Sequence, residues 1–160
     1  RASLNSGKDI VSLEGECHHI TSYLQIQQVR YQDILTYDVD IPEEIANCKI
    51  PKITLQPLVE NALYHGIKNK RGKGRIVGTG RREKDKCVIR VEDNGIGMTK
   101  ERLNQVRGGL TTKIEDSNDF YGLYNVNERI RLKFGEEYGL SIDSVLQEGT
   151  CVEVWLPWES

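Results

Sequence analysis

The chain has 160 residues, 38% of them hydrophobic and 29% charged, with a formal net charge of −2. That is enough for one compact domain with a short appendage, and the near-neutral charge gives no electrostatic case for a general nucleic-acid or membrane-surface binder. No apolar run approaches the roughly 18 residues of a membrane span and no signal peptide is visible. The first residue is Arg1 rather than Met, so the expectation is a piece of a longer chain whose missing neighbours hold part of the function. The four cysteines, Cys17, Cys48, Cys87 and Cys151, show no CxxC spacing. They argue for free thiols in a cytoplasmic setting rather than for zinc.

Residues 11–31 are predicted as a helix, with Leu13, Cys17, Ile20, Leu24 and Tyr31 at helical spacing and a start signal in Ser12, Gly15 and Glu16. Its length and N-terminal position suggest a connector or partner-facing element. Residues 34–41 alternate as a strand, ended by Pro42. From Leu55, the residues Leu55, Leu58, Val59, Ala62 and Leu63 form one helical face. Thr54 is the expected cap, Pro57 is tolerable within the first turn, and Gly66 is the expected stop. Residues 75–82 and 86–92 are predicted strands of a hairpin, with Cys87 a small buried hydrophobe. A short helix over 99–106 has Thr99 as cap, and 107–121 shows no period and is expected to be a mobile loop. Residues 122–134 are helical, and strands 140–146 and 151–156, the second holding Cys151 as another buried hydrophobe, turn at Glu148-Gly149. This order disfavours a doubly wound parallel sheet and predicts an α+β domain with a mixed sheet and helices on one face.

Four stretches carry the chemistry. In Asp93-Asn94-Gly95-Ile96-Gly97 a carboxylate ends a strand. Ionised, it is acceptor-only and suits an exocyclic amine such as adenine's, while the glycines let a flat ligand approach the main chain. A simple Asp-Asn-Gly turn is the competing reading. On the helix from Leu55, Asn61, Tyr64, His65 and Lys68 share a side. Asn61 offers the neutral oxygen that Mg²⁺ favours, and His65 and Lys68 could meet phosphate oxygens; a solvated face is the alternative. In the third stretch Gly122 opens a helix in Tyr121-Gly122-Leu123, an arrangement that is either an anion site or an ordinary cap. Thr150, after Glu148-Gly149, could support Asp93 through its hydroxyl. The basic stretch 68–82 lacks interleaved aromatics and is expected to be a solvated loop, not a nucleic-acid surface.

Together these stretches resemble the N, G1, G2 and closing Gly-Thr boxes of the GHKL ATP-binding fold. The resemblance is nearer to sensor histidine kinases of the YesM/LytS type and spans nearly the whole chain. It implies a two-layer α/β sandwich of the Bergerat type, with residues 1–31 as the connecting helix from a dimerisation and phosphoacceptor region and 32–160 as the ATP-binding catalytic domain. Asp93 would bind the adenine amine, directly and through a water shared with Thr150, with Gly95 and Gly97 shaping the base pocket. Asn61 would ligate Mg²⁺ and Glu60 would orient its waters. His65 and Lys68 would approach the phosphates, residues 107–121 would form a lid, and Gly122 and Leu123 would give backbone N–H groups to the phosphate tail.

Three departures stand out. Pro57 occupies the place of the water-activating glutamate of hydrolytic relatives, favouring phosphoryl transfer over hydrolysis. Tyr64 stands where such kinases often have lysine, and Phe120 stands for a lid glycine. The resemblance further implies γ-phosphoryl transfer to a histidine outside this piece and relay to a response-regulator aspartate. His18 and His19 fall in the connecting helix rather than in an acceptor segment, so this piece is expected not to autophosphorylate alone. The implied setting is a homodimer whose catalytic domain is cytoplasmic, joined to a membrane only through missing N-terminal segments. The alternatives are a GHKL ATPase that uses ATP as a conformational clamp, and a degenerate docking module.

Overall fold

The computed structural model describes residues 9–31, 34–68, 70, 72–112 and 121–158. In chain order the elements are β1 (Ile10–Ser12), α1 (Leu13–Arg30), β2 (Leu35–Val39), a 3₁₀ turn (Glu43–Ile45), β3 (Lys49–Pro51) and α2 (Leu55–Asn61), which runs on as a π-helix (Ala62–Ile67). They continue as β4 (Gly74–Glu83), β5 (Lys86–Asp93), α3 (Lys100–Gly109), α4 (Tyr121–Phe134), β6 (Gly139–Val145) and β7 (Gly149–Pro157). A five-stranded sheet has the order β2-β4-β5-β7-β6, and β1 pairs with β3 apart from it. Within the large sheet only β2 and β4 run parallel. This is the mixed, mostly antiparallel α+β architecture expected from the element order.

The pleat of β5 decides where the chemistry lies. Side chains of a strand alternate between faces. Cys87, Ile89 and Val91 therefore share the face that meets the helices, where they join Leu24, Leu58, Leu63, Val126 and Ile130 in one core. Asp93 is next in that series, so the same alternation carries its carboxylate to the helix-covered side. The opposite face carries a charged lattice in which Glu153 accepts from Arg81 and Arg90, and Arg90 also pairs with Glu92.

Several local expectations change. The helix predicted from residue 11 starts at Leu13, because residues 10–12 pair with 49–51 and the Ser12 side chain caps the helix by accepting from the Gly15 N–H at 3.1 Å. Thr54 does not cap α2: its hydroxyl donates to the Pro51 carbonyl at 2.6 Å. The cap is the buried Glu16 carboxylate, which accepts from the N–H groups of Thr54 (2.9 Å) and Leu55 (3.3 Å). Pro57 sits in the first turn, where a missing N–H costs no intrahelical bond. Gly66 does not stop the helix; a π turn carries it to Ile67, with the Lys68 N–H donating to the Leu63 carbonyl at 2.8 Å. Residues 107–109 close α3 instead of opening a loop, anchored by Arg107, which donates to the Ile142 carbonyl at 2.9 Å. Of the rest of the predicted loop, 110–112 form turns, Tyr121 opens α4, and 113–120 including Phe120 lie outside the described residues. Cys87 is fully buried, whereas Cys151 faces the charged side of the sheet and is only half-buried. The basic stretch is largely strand β4, with Arg75, Arg81 and Arg82 each beside a carboxylate.

Candidate functional site

Asp93 ends β5 opposite Thr150 of β7 and is buried. Burial pushes its carboxyl up to about 6, against the downward pull of the Gly95 and Thr150 N–H groups and the charge of Lys70. The Gly95 N–H donates to its Oδ1 at 2.8 Å. Two glycines let the chain close around this carboxylate. A Cβ on Gly66 would stand 2.5 Å from Asp93 Oδ1, and one on Gly95 would run into the Gly66 backbone. Gly97 turns the chain with φ +67, a conformation that L side chains seldom adopt. The Thr150 hydroxyl bonds to Ser144 Oγ at 2.9 Å, and that same oxygen donates to the Gly149 carbonyl and accepts from the Met98 N–H. Gly66→Ala is therefore expected to cost about 1–3 kcal/mol by overpacking, read by thermal melting, and to displace the Asp93 carboxylate.

One turn earlier along the same helix, a cleft of about 240 Å³ is lined by Pro57, Glu60, Asn61, Tyr64, His65, Gly122 and Leu123. The α2 residues recur at helical spacing, which places them on one face. Asn61 is buried, and its Oδ1 has no hydrogen-bond partner among the described residues. A buried orphan oxygen costs free energy unless something outside the chain satisfies it. Gly122 lies in the first turn of α4, while the Leu123 side chain enters the core. First-turn N–H groups lack intrahelical partners, and Gly122 and Leu123 of that turn line the cleft. Lys68 lies outside this lining, with its Nζ 5.6 Å from the Tyr64 ring centre.

The geometry thus groups Glu60, Asn61, His65, Gly122 and Leu123 in one cleft, and Asp93, Gly95, Gly97 and Thr150 in an adjoining shell joined to it by the π-helical turn. Sequence reasoning missed Ser144 and Lys70, and the roles of Glu16 as the cap of α2 and of Gly66 beside Asp93. Lys70 donates to the Asn94 carbonyl at 2.7 Å. A carboxylate interrupting the apolar stripe Leu13, Ile20, Leu24 was the available signal for Glu16.

Residues 51–160 match the family described as histidine kinase-, DNA gyrase B- and HSP90-like ATPase. The chain belongs to this ATPase family. Membership carries nucleotide binding with it, and the resemblance read from the four motifs holds. The sensor histidine kinase YesM of Bacillus subtilis is 37% identical over 98% of this chain and 26% of its own length. The sensor histidine kinase BtsS of Escherichia coli is 32% identical over 99% of this chain and 26% of its own length. The ATPase-family chain therefore spans about a quarter of the length of these curated relatives. Among solved structures, the catalytic domain of histidine kinase ThkA has a TM-score of 0.62 at 9% identity, covering 93% of this chain and 94% of that one. The histidine kinase domain from Erythrobacter litoralis EL346 blue-light activated histidine kinase has a TM-score of 0.63 at 14% identity, covering 92% of this chain and 62% of that one. At such identities these two establish the fold alone. No helix among the described residues is long and apolar enough to cross a membrane.

Proposed function

We propose that this chain is the ATP-binding catalytic domain of a sensor histidine kinase, and that the intact protein moves the γ-phosphoryl group of ATP to one of its own histidines. The observation that carries the proposal is the Asn61 Oδ1, without a partner among the described residues and buried in the cleft beside Glu60 and His65. A neutral amide oxygen next to a carboxylate suits Mg²⁺, which takes oxygen ligands and keeps several waters. Asn61 would hold the ion directly and Glu60 through its water shell. The bound ion would supply neutralisation of phosphate charge.

The chain's own groups do the rest. Asp93, ionised, accepts from the adenine amine, with Thr150 behind it and Gly95 and Gly97 forming the wall. His65, and Lys68 swinging from its place over Tyr64, approach the phosphates. The Gly122 and Leu123 N–H groups receive the phosphate tail at the start of α4, where the helix dipole favours an anion. Positioned donors of this kind are the main protein contribution to phosphoryl transfer. Pro57 lines the cleft, and it offers no base to a water, which disfavours an ATPase clamp.

The 1–31 segment is read as the connector to a dimerising, phosphoacceptor-bearing region, and the intact protein as a homodimer that passes its phosphoryl group to a response-regulator aspartate. Its catalytic domain would be cytoplasmic, tied to a membrane by other segments. Calorimetric titration with ATP, with and without Mg²⁺, tests the core of the proposal. Saturable binding strengthened at least about tenfold by Mg²⁺, or about 1.4 kcal/mol, is expected. Absence of nucleotide binding would leave the docking-module reading standing.

A further inference from the structure

Helix α1 touches α2 and its π-helical continuation through three polar contacts on one stripe. Glu16 caps α2 at the N–H groups of Thr54 and Leu55. One turn on, His19 Nε2 lies 2.6 Å from Gln56 Oε1. Another turn on, the Tyr23 and Tyr64 hydroxyls neighbour one another, and burial together with Tyr64 holds the Tyr23 phenol above its ordinary range. On α1 these are positions i, i+3 and i+7, one face of the helix. On the other side, they meet the start of α2 and then Tyr64, which lines the cleft beside Asn61. The contacts are directional, unlike the apolar packing of Leu13, Ile20 and Leu24 beneath them, so they fix axial position and rotation as well as distance. The Glu16 contact is also buried: Glu16 is 3% exposed. A bond from a backbone N–H to a carboxylate in such a place is among the stronger ones.

We infer that Glu16, His19 and Tyr23 form a polar ladder through which α1 sets the placement of α2, and hence of the Asn61 oxygen in the cleft. Glu16 and Tyr23 are positioning residues: neither lines the cleft, and each acts through a residue of the α2 segment. A shift or rotation of α1 by whatever precedes it would then move the metal-binding amide more than Asp93, whose backbone is held in the sheet between β4 and β7. The inference rests on the proposed role of Asn61 as the metal ligand, and the test separates the two.

Two variants leave shape almost unchanged: Tyr23→Phe removes one hydroxyl, and Glu16→Gln removes the charge from the cap. In the nucleotide-free chain, the Asn61 side-chain amide resonance is expected to move in both variants, while that of Asn127 stays in place. Asn127 is a suitable reference because it is fixed by the Leu110 carbonyl and the Leu140 N–H. In titrations, the Mg²⁺-dependent gain in ATP affinity should fall at least about threefold, with metal-free affinity kept within about twofold, differences of roughly 0.6 and 0.4 kcal/mol. An unmoved Asn61 resonance in Tyr23→Phe, or an equal loss of affinity with and without metal, overturns the ladder. Should Glu16→Gln fail to fold, Tyr23→Phe decides alone. A wild-type chain whose ATP affinity ignores Mg²⁺ overturns the metal role of Asn61 instead, and the resonance shift still decides the ladder.

Discussion

Asp93→Asn is expected to weaken ATP binding about 100-fold while making the nucleotide-free fold relatively more stable as pH rises. The binding loss follows from the acceptor-only character of the ionised carboxylate: replacing it with an amide removes a charge-assisted bond worth about 1.5–3 kcal/mol. The stability gain follows from burial, which raises the carboxyl from 3.8 to about 6. A folded-state value above the unfolded one means that, between those two pH values, the folded chain keeps a proton that the unfolded chain has lost. Wild-type stability therefore falls as pH rises through that window, by up to about 3 kcal/mol for a two-unit shift, and levels off above it. The amide does not titrate, so the stability difference, variant minus wild type, should climb from pH 4 to pH 7 in denaturant melts. A flat difference would show that the carboxylate is not desolvated. Wild-type ATP affinity should run the other way, weakening as pH drops below about 6, because a protonated acid no longer offers that acceptor. A site that is costly empty and useful when occupied is the usual form of a stability–function compromise.

How far the sequence disclosed this arrangement depends on whether a residue's role was periodic or tertiary. The alternation Cys87, Ile89, Val91 already places Asp93 on the helix side, and the recurrence of Asn61 and His65 along a helix already places them together. The caps divide on the same line. Ser12 and Thr99 cap their own helices through side chains three residues from their partners, a local pattern that can be read. Glu16 caps a helix 38 residues away, and no local pattern announces that. The π turn at residues 62–67 was equally hidden, since apolar spacing over five residues fits α and π winding alike. Gly66 reads as punctuation because a glycine after a helical run usually is; its reason here is the carboxylate that a methyl group would strike. Lys68, grouped with Asn61, Tyr64 and His65 by helical counting, stands over Tyr64 four residues back and outside the cleft lining.

Asn61→Ala should separate metal from base recognition. The affinity for ATP without metal should stay within about twofold, while the Mg²⁺-dependent gain, at least about tenfold in the wild type, should vanish. Stability gives an independent check. The Asn61 Oδ1 is buried without a partner among the described residues, and an unsatisfied buried acceptor costs about 1–3 kcal/mol. Its removal offsets the cavity left by truncation, so the alanine variant should melt within about 1 kcal/mol of wild type, unlike a core truncation, which costs about 2–5 kcal/mol. Asn61→Asp should do the reverse. It puts a second carboxylate into a cleft already holding Glu60, so the empty fold should lose stability to like-charge repulsion and desolvation, and added Mg²⁺ alone should restore it. Recovery by Mg²⁺ in the aspartate variant, together with loss of metal dependence in the alanine variant, would locate the ion at this side chain. An alanine variant that retains the full Mg²⁺ effect would assign the ion to other ligands and leave the buried oxygen without a function.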